Sequence, residues 1–408
     1  MKSVNKTHLI RHTISMPFII CSFLYGSVVH SEGEVTPYFS ITTLSDNNLY
    51  RLDDKVDENS LAAGVSKSDS IYQTKVGVDL DWKISRQQFL VSGALTDSRY
   101  DKNSQLDNLG QKLNAKWNWV VGSRFQGVAS YQKDISLTSF SDTVDFQKSE
   151  LTVDSLSFSG FWNYHPSWRV GSGIVKRDST YDTEARAIYN RETLTTNFDW
   201  DFLAETGSRI GLRLQTENTI LPNRIVTEDS LIDNEYQQDS ILITSFWNFS
   251  QKSRINANFG LVSRNHQSIQ ERDYDGINAN FKYSWSPAAR FLLSLEGFRR
   301  INSTDDILAS YSENTGFKVN SVWSYSEKIR LNAGFDNELR DYSGQTGLIE
   351  SLSSTLKDNY SNMSLGLIYK PHRTFNFGLG YNKSLRDSNG ILRDYTSDSV
   401  SLNFTLKL

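Results

Sequence analysis

From about residue 70 to the C-terminus, apolar and polar residues alternate in runs too long for an ordinary soluble sheet. In 72–82, Tyr72, Thr74, Val76, Val78, Leu80 and Trp82 share one face, and Lys75, Gly77, Asp79 and Asp81 share the other. In 194–202, Leu194, Thr196, Phe198, Trp200 and Phe202 oppose Thr195, Asn197, Asp199 and Asp201. In 277–285, Ile277, Ala279, Phe281, Tyr283 and Trp285 oppose Asn278, Asn280, Lys282 and Ser284, and the pattern returns at 255–261 and 375–381. A period of two is the signature of a strand with two different surroundings. Soluble strands are usually ~5–6 residues long. Most of these are about twice that, the ~9–11 residues that a tilted strand needs to cross a bilayer.

A second, longer period organises the strands. Each strand pair turns at an aromatic residue followed within a few positions by an arginine: Arg86, Arg124, Arg169, Arg209, Arg254, Arg290, Arg330 and Arg373. The gaps between these arginines are 38, 45, 40, 45, 36, 40 and 43 residues, room for two long strands and one long polar loop. Propeller blades have a comparable period but need four strands in it. Short turns alternating with long loops predict an all-β transmembrane antiparallel barrel, with the turns periplasmic and the loops extracellular. The expected strands are 35–44, 70–82, 88–100, 108–120, 124–134, 152–164, 168–180, 190–202, 208–220, 238–249, 253–265, 274–286, 290–303, 314–325, 328–341, 357–370, 373–386 and 395–408. That makes eighteen, with sixteen as the competing number. The last strand ends on Leu402, Phe404, Leu406 and Leu408, close to the aromatic ending that the barrel-assembly machinery reads in such proteins.

Composition changes the picture less than the pattern does. The mean hydropathy of -0.47 suits a barrel whose inward residues are polar. Residues 1–31 read as a secretory leader, with Lys2, Lys6 and Arg11 before an apolar Ile14-to-Val29 run and cleavage ahead of Glu32. The mature barrel is then 32–408, in the outer membrane of a Gram-negative cell. Cleavage removes Cys21, the only cysteine, and takes the formal charge from -4 to -7, which leaves no basic face for nucleic acid.

Candidate chemistry follows from the alternation. Charges on the polar face are expected to line a lumen: Lys75, Asp79, Asp81, Lys112, Lys116, Asp199, Asp201, Arg213, Glu217, Lys282, Glu296, Arg300, Lys318, Asp336, Glu338, Arg340 and Lys407. Eighteen strands enclose an aqueous channel rather than a packed interior. Trp82, Trp119, Trp200, Trp285 and Trp323 recur at the turn ends of their strands and are expected to form an interfacial girdle. The long loops, including 45–69, 139–151, 222–240 and 302–313, are acidic; they are expected to be solvated, with chelation of divalent ions shared with lipopolysaccharide and outer-membrane lipid as the functional alternative. His165 and His372 fall in turns and His266 at the opposite end of its strand, so no triad, zinc set or cofactor loop is expected, and the chain reads as a non-enzyme.

One short segment is more specific. Pro37 and Tyr38, followed by Asp46, Asn47, Asn48, Leu49, Tyr50, Arg51 and Leu52, resemble the opening of the EpsL-like and VpsM-like outer-membrane barrels of exopolysaccharide biosynthesis. The resemblance implies an export channel for an exopolysaccharide of biofilm or capsule type, made by a Wzx/Wzy-dependent pathway. It also implies an OPX-type polysaccharide-export protein as partner. The alternatives are a general or substrate-specific uptake porin for small solutes, and a plugged structural or adhesive surface barrel.

Overall fold

The computed structural model describes residues 32–141, 146–226, 233–303, 311–343 and 356–408. The expected leader, and loop acids such as Asp142, Asp145, Glu228, Asp229, Asp305 and Asp306, lie outside them. Eighteen strands follow one another along the chain: β1 (Glu32–Asp46), β2 (Asp69–Ile84), β3 (Gln87–Tyr100), β4 (Asn108–Val121), β5 (Phe125–Leu137) and β6 (Glu150–His165). Then come β7 (Trp168–Tyr181), β8 (Arg191–Leu203), β9 (Arg209–Ile220), β10 (Glu235–Ser250), β11 (Ser253–His266) and β12 (Tyr274–Ala288). The set ends with β13 (Phe291–Ser303), β14 (Tyr311–Trp323), β15 (Ile329–Ser343), β16 (Lys357–His372), β17 (Phe375–Ser388) and β18 (Tyr395–Lys407).

Every strand pairs antiparallel with its neighbours in the chain, and β18 returns to β1 through Tyr38↔Lys407 to Asp46↔Ser399. The sheet is a closed barrel without an edge, so the strands satisfy one another's backbone groups all the way round, as a bilayer demands. Strands run from 12 to 16 residues, longer than their apolar stretches. β1, expected over 35–44, continues upward through Ser45↔Ser70 and Asp46↔Asp69. Those polar upper rungs carry no hydropathy signal, so alternation alone places the strand ends too early.

Register fixes the two faces. Partners across an antiparallel pair share a face, and one face around the barrel carries Val76, Leu95, Phe158, Ile243, Leu261, Phe281 and Leu402, all strongly exposed. Apolar side chains left uncovered over so large a continuous surface mark a face that meets lipid rather than water. The opposite, inner face is polar, so the barrel is inverted relative to a soluble domain. Among the described residues the largest buried apolar cluster gathers at one end, where the loop residues Leu49, Tyr50, Leu52, Leu106 and Phe140 meet Ile71 of β2.

Candidate functional site: the lumen and its mouth

All the charges expected to line the lumen fall on the inner face in the register. Two groups of them sit on different arcs. Lys75, Asp79 and Asp81 on β2 and Lys112 and Lys116 on β4 face inward, the pairs Asp79↔Ser92↔Asn114 and Asp81↔Leu90↔Lys116 running straight across β2, β3 and β4. Lys112 reaches Asp134 at 3.6 Å. Lys407 at the end of β18 pairs with Tyr38 on β1.

The second arc is more tightly knit. Asp199 and Asp201 on β8 are 3% and 1% exposed. Asp199 accepts from Arg213 Nε at 2.8 Å and Asn197 Nδ2 at 2.6 Å, and Asp201 from Arg169 Nε at 2.7 Å and Arg209 Nη1 at 3.4 Å. Glu217 pairs in register with Thr195 and Gln238. Lys282, Glu296, Lys318 and Asp336 form one rung across β12 to β15. Above it Glu338 accepts from Arg340 Nε at 2.7 Å, Asn314 Nδ2 at 2.7 Å and Arg300 Nη2 at 3.2 Å. Asp358 on β16 is fully buried and accepts from Arg386 Nη2 at 2.7 Å and Arg393 Nη2 at 2.9 Å. In three clusters, around Asp201, Glu338 and Asp358, one carboxylate is shared by two guanidiniums, which leaves an excess of positive charge on this wall. Sequence reasoning missed Asp358, Arg386 and Arg393; their strand parity carries the signal for Asp358 and Arg386, but Arg393 is a loop residue and carries none. Burial alone would lower the pKa of Arg393, yet Asp358 beside it holds it above the ordinary value.

The mouth at the long-loop end is narrowed from inside. Tyr50, fully buried, donates to Asn103 Oδ1 at 3.1 Å and meets Phe140 and Phe146 edge-on at centroid distances of 4.8 and 5.1 Å. This cluster rests on Leu44, Ile71 and Tyr100, inner-face residues of β1 to β3. From β5 the chain then crosses to the far wall, where Arg386 Nη1 donates to Ser141 O at 2.7 Å. A chord from β5 to β17 divides the mouth unequally: the six strands from β18 through β1 to β5 lie on one side, and the wider arc of β6 to β16 on the other.

The expectation that 45–69 is a solvated acidic loop holds for Asp54, Asp57 and Glu58, which are exposed, and is corrected for Asp46, Asp53 and Asp69, which are buried. Asp46 and Asp53 are 4% and 2% exposed, because Asp46 accepts from Asn48 N at 2.9 Å and Arg51 Nη1 at 2.9 Å, and Asp53 from Lys55 N at 2.8 Å. Asp233, in another loop expected to be solvated, is likewise buried and accepts from Ser268 N and Ile269 N at 3.1 and 3.0 Å. His266 is buried beside Tyr236, while His165 and His372 sit at the other end of their strands, each against its own turn. Among the described residues no group of three His, Cys, Asp or Glu is placed to hold a metal ion.

On the outer face, Trp82, Trp119, Trp200, Trp285 and Trp323 stand at the short-turn ends of their strands. Trp117, Trp162, Trp168 and Trp247, not singled out from the sequence, share that face and height. Rings meet across strands, as in Phe89 on Trp117 at 5.8 Å and Trp168 on Trp200 at 5.2 Å.

No protein-family profile matches the chain, and no curated protein sequence does. Solved structures share its fold at low sequence identity. A BenF-like porin from Pseudomonas fluorescens Pf-5 aligns with TM-score 0.50 and 9% identity, covering 92% of this chain and 99% of that one. OccK2 (OpdF) of Pseudomonas aeruginosa aligns with TM-score 0.50 and 10% identity, covering 92% and 98%. The chain thus has the closed 18-strand architecture of outer-membrane porins.

The expected kinship with EpsL-like and VpsM-like export barrels is overturned. No family profile and no curated protein sequence matches the chain, and the solved barrels that share its fold include a BenF-like porin and OccK2. The physical reason lies in Asp46 to Leu52 themselves. Aspartate and asparagine are what a chain leaving a strand uses to satisfy its own backbone, so a short Asp-Asn-Asn run arises for reasons unrelated to cargo.

Proposed function

We propose that the chain is a passive outer-membrane channel for uptake of small hydrophilic solutes, with anions favoured over cations. The observation that carries this reading is the mouth: an 18-strand lumen crossed by an internal chord, its wider arc walled by the Asp201 and Glu338 clusters, in each of which two guanidiniums share one carboxylate. A crossed mouth suits small solutes better than a polymer. Wall charges that are only partly neutralised concentrate oppositely charged solutes, and exposed polar groups offer weak, replaceable contacts that let a solute leave again.

The channel stands in the outer membrane, with the short turns and the tryptophan belt on the periplasmic side and residues 1–31 removed as a leader. Outer-leaflet lipid and lipopolysaccharide surround the upper rim, and the barrel-assembly machinery inserts it.

The test is the reversal potential of the refolded barrel in a planar bilayer under a salt gradient, together with solute uptake into liposomes. Chloride is expected to pass more readily than potassium. Glu338→Gln removes the acid shared by Arg300 and Arg340 and is expected to strengthen that preference; uptake is expected to fall steeply as solutes grow. A cation-selective pore would overturn the anion preference, and a barrel that never conducts would favour the plugged structural reading, which the fully buried Tyr50 cluster supports.

A further inference from the structure

We infer that Asp46 to Asp54 is a latch that ties closure of the barrel seam to the internal constriction, so that the same residues set the aperture. The inference rests on the channel reading above. The seam between β1 and β18 joins the two ends of the chain and so carries the largest loop-closure cost of any strand pair. Its ladder stops at Asp46↔Ser399, although β18 continues upward to Tyr395. On the β1 side, therefore, residues 395–398 are left as a strand edge, with backbone groups that need partners.

The loop supplies them. Asn47 N donates to Asp398 O at 3.1 Å, and Asn47 Oδ1 accepts from Asp398 N at 2.7 Å. Asn48 Nδ2 donates to Thr396 O at 3.0 Å, Asp54 Oδ1 accepts from Thr396 N at 3.1 Å, and Asp46 Oδ1 accepts from Ser397 Oγ at 2.9 Å. One backbone bond and then side chains of the loop thus continue the ladder past Asp46. The chain must turn back sharply to do this, and it does so at Arg51, whose φ is +55° and whose guanidinium returns to Asp46 and to the Asn48 carbonyl.

The same turn positions the constriction. Asn48 closes a ring with Leu52, donating to its carbonyl at 2.8 Å and accepting from its amide at 2.9 Å. Between these two residues Tyr50 is held inward against Asn103 and the Phe140–Phe146 pair. Seam and constriction share one rigid turn, so the aperture is set by the closed seam rather than by an independently hinged loop.

Two variants separate the consequences. Asn48→Ala removes the bonds to Thr396 and Leu52 together; each lost buried hydrogen bond is worth roughly 1 kcal/mol, about a fivefold shift in the docked-to-undocked ratio. It is expected to lower the thermal midpoint of the barrel, read as loss of the fast-migrating folded band on gels. It should also raise unitary conductance and the size of polymer excluded from the pore. Tyr50→Ala removes no side chain that bonds to the seam, and it is expected to raise conductance, with a loss of thermal midpoint that comes from the emptied ring space rather than from the seam. If Asn48→Ala destabilises the barrel but conducts like wild type, or Tyr50→Ala leaves conductance unchanged, the coupling is wrong although the channel reading stands. If wild type itself does not conduct, the channel reading is what fails; the latch is then overturned if Asn48→Ala leaves the thermal midpoint unchanged or its conductance stays at zero.

Discussion

Replacing Asp201 by Asn tests whether shared carboxylates hold the lumen wall together as well as setting its charge. Asp201 is almost completely buried, while its partners Arg169 and Arg209 keep 14% and 31% of their side chains exposed. Asparagine preserves the volume and one acceptor but removes the charge. Stripping one partner from a fully buried pair costs about 3–5 kcal/mol. Here both guanidiniums are partly exposed and can be rehydrated from the inner face, and Arg169 retains its stack over Phe161 at 4.3 Å. The expected loss is therefore nearer ~2 kcal/mol. Gly211 provides an independent route to the same group, since a Cβ there would lie 2.0 Å from Asp201 Oδ1 and 2.9 Å from the Trp200 carbonyl. Gly211→Ala must displace the carboxylate that Asp201→Asn neutralises. The two losses are thus expected to be strongly non-additive in the double variant, as for residues in one network. The assay is urea unfolding of the refolded barrel, followed by tryptophan fluorescence and by gel mobility. An Asp201→Asn variant within about 0.5 kcal/mol of wild type, the range of an ordinary surface substitution, would refute a structural role for the pair. Additive losses would refute the shared mechanism.

Two further outcomes rest on the same geometry. At Arg51, where φ is +55°, glycine relieves a left-handed conformation that costs other residues roughly 1 kcal/mol, so Arg51→Ala is expected to destabilise the barrel more than Arg51→Gly by about that amount, measured by thermal melting; equal losses would place the whole effect in the Asp46 ion pair. The tryptophans should be quenched most by brominated lipids labelled near the headgroups and least by those labelled at the bilayer centre, and the reverse order would remove them from the interface.

How much could be read from the chain differs between wall and mouth. Along the wall, each residue's environment depends on little more than its parity. Val76 faces out and Lys75 faces in because a strand alternates, and the turn arginines mark where the count restarts. Strand number, closure and the inner-face charges therefore come from positions a few residues apart. Parity says nothing of partners, however. That Asp199 meets Arg213 while Asp201 meets Arg169 and Arg209 depends on the stagger between strands, which the sequence does not print.

At the mouth the residues that matter are brought together from positions far apart in the chain: Asn48 with Thr396, Tyr50 with Phe140, Ser141 with Arg386. No local pattern announces such contacts, and acidic loop composition points toward solvation. The hint lies in what an acidic loop has no need of, the apolar Leu49, Tyr50 and Leu52 set among Asp and Asn. Apolar residues at that spacing, in a loop too short to fold alone, have to bury themselves against something, and the inner face of the barrel is the surface within reach. The short motif that suggested a cargo is better explained by that requirement. A barrel closed from both ends of one chain needs hydrogen-bond partners for the first residues of its final strand, and a loop leaving the first strand is the nearest segment that can supply them.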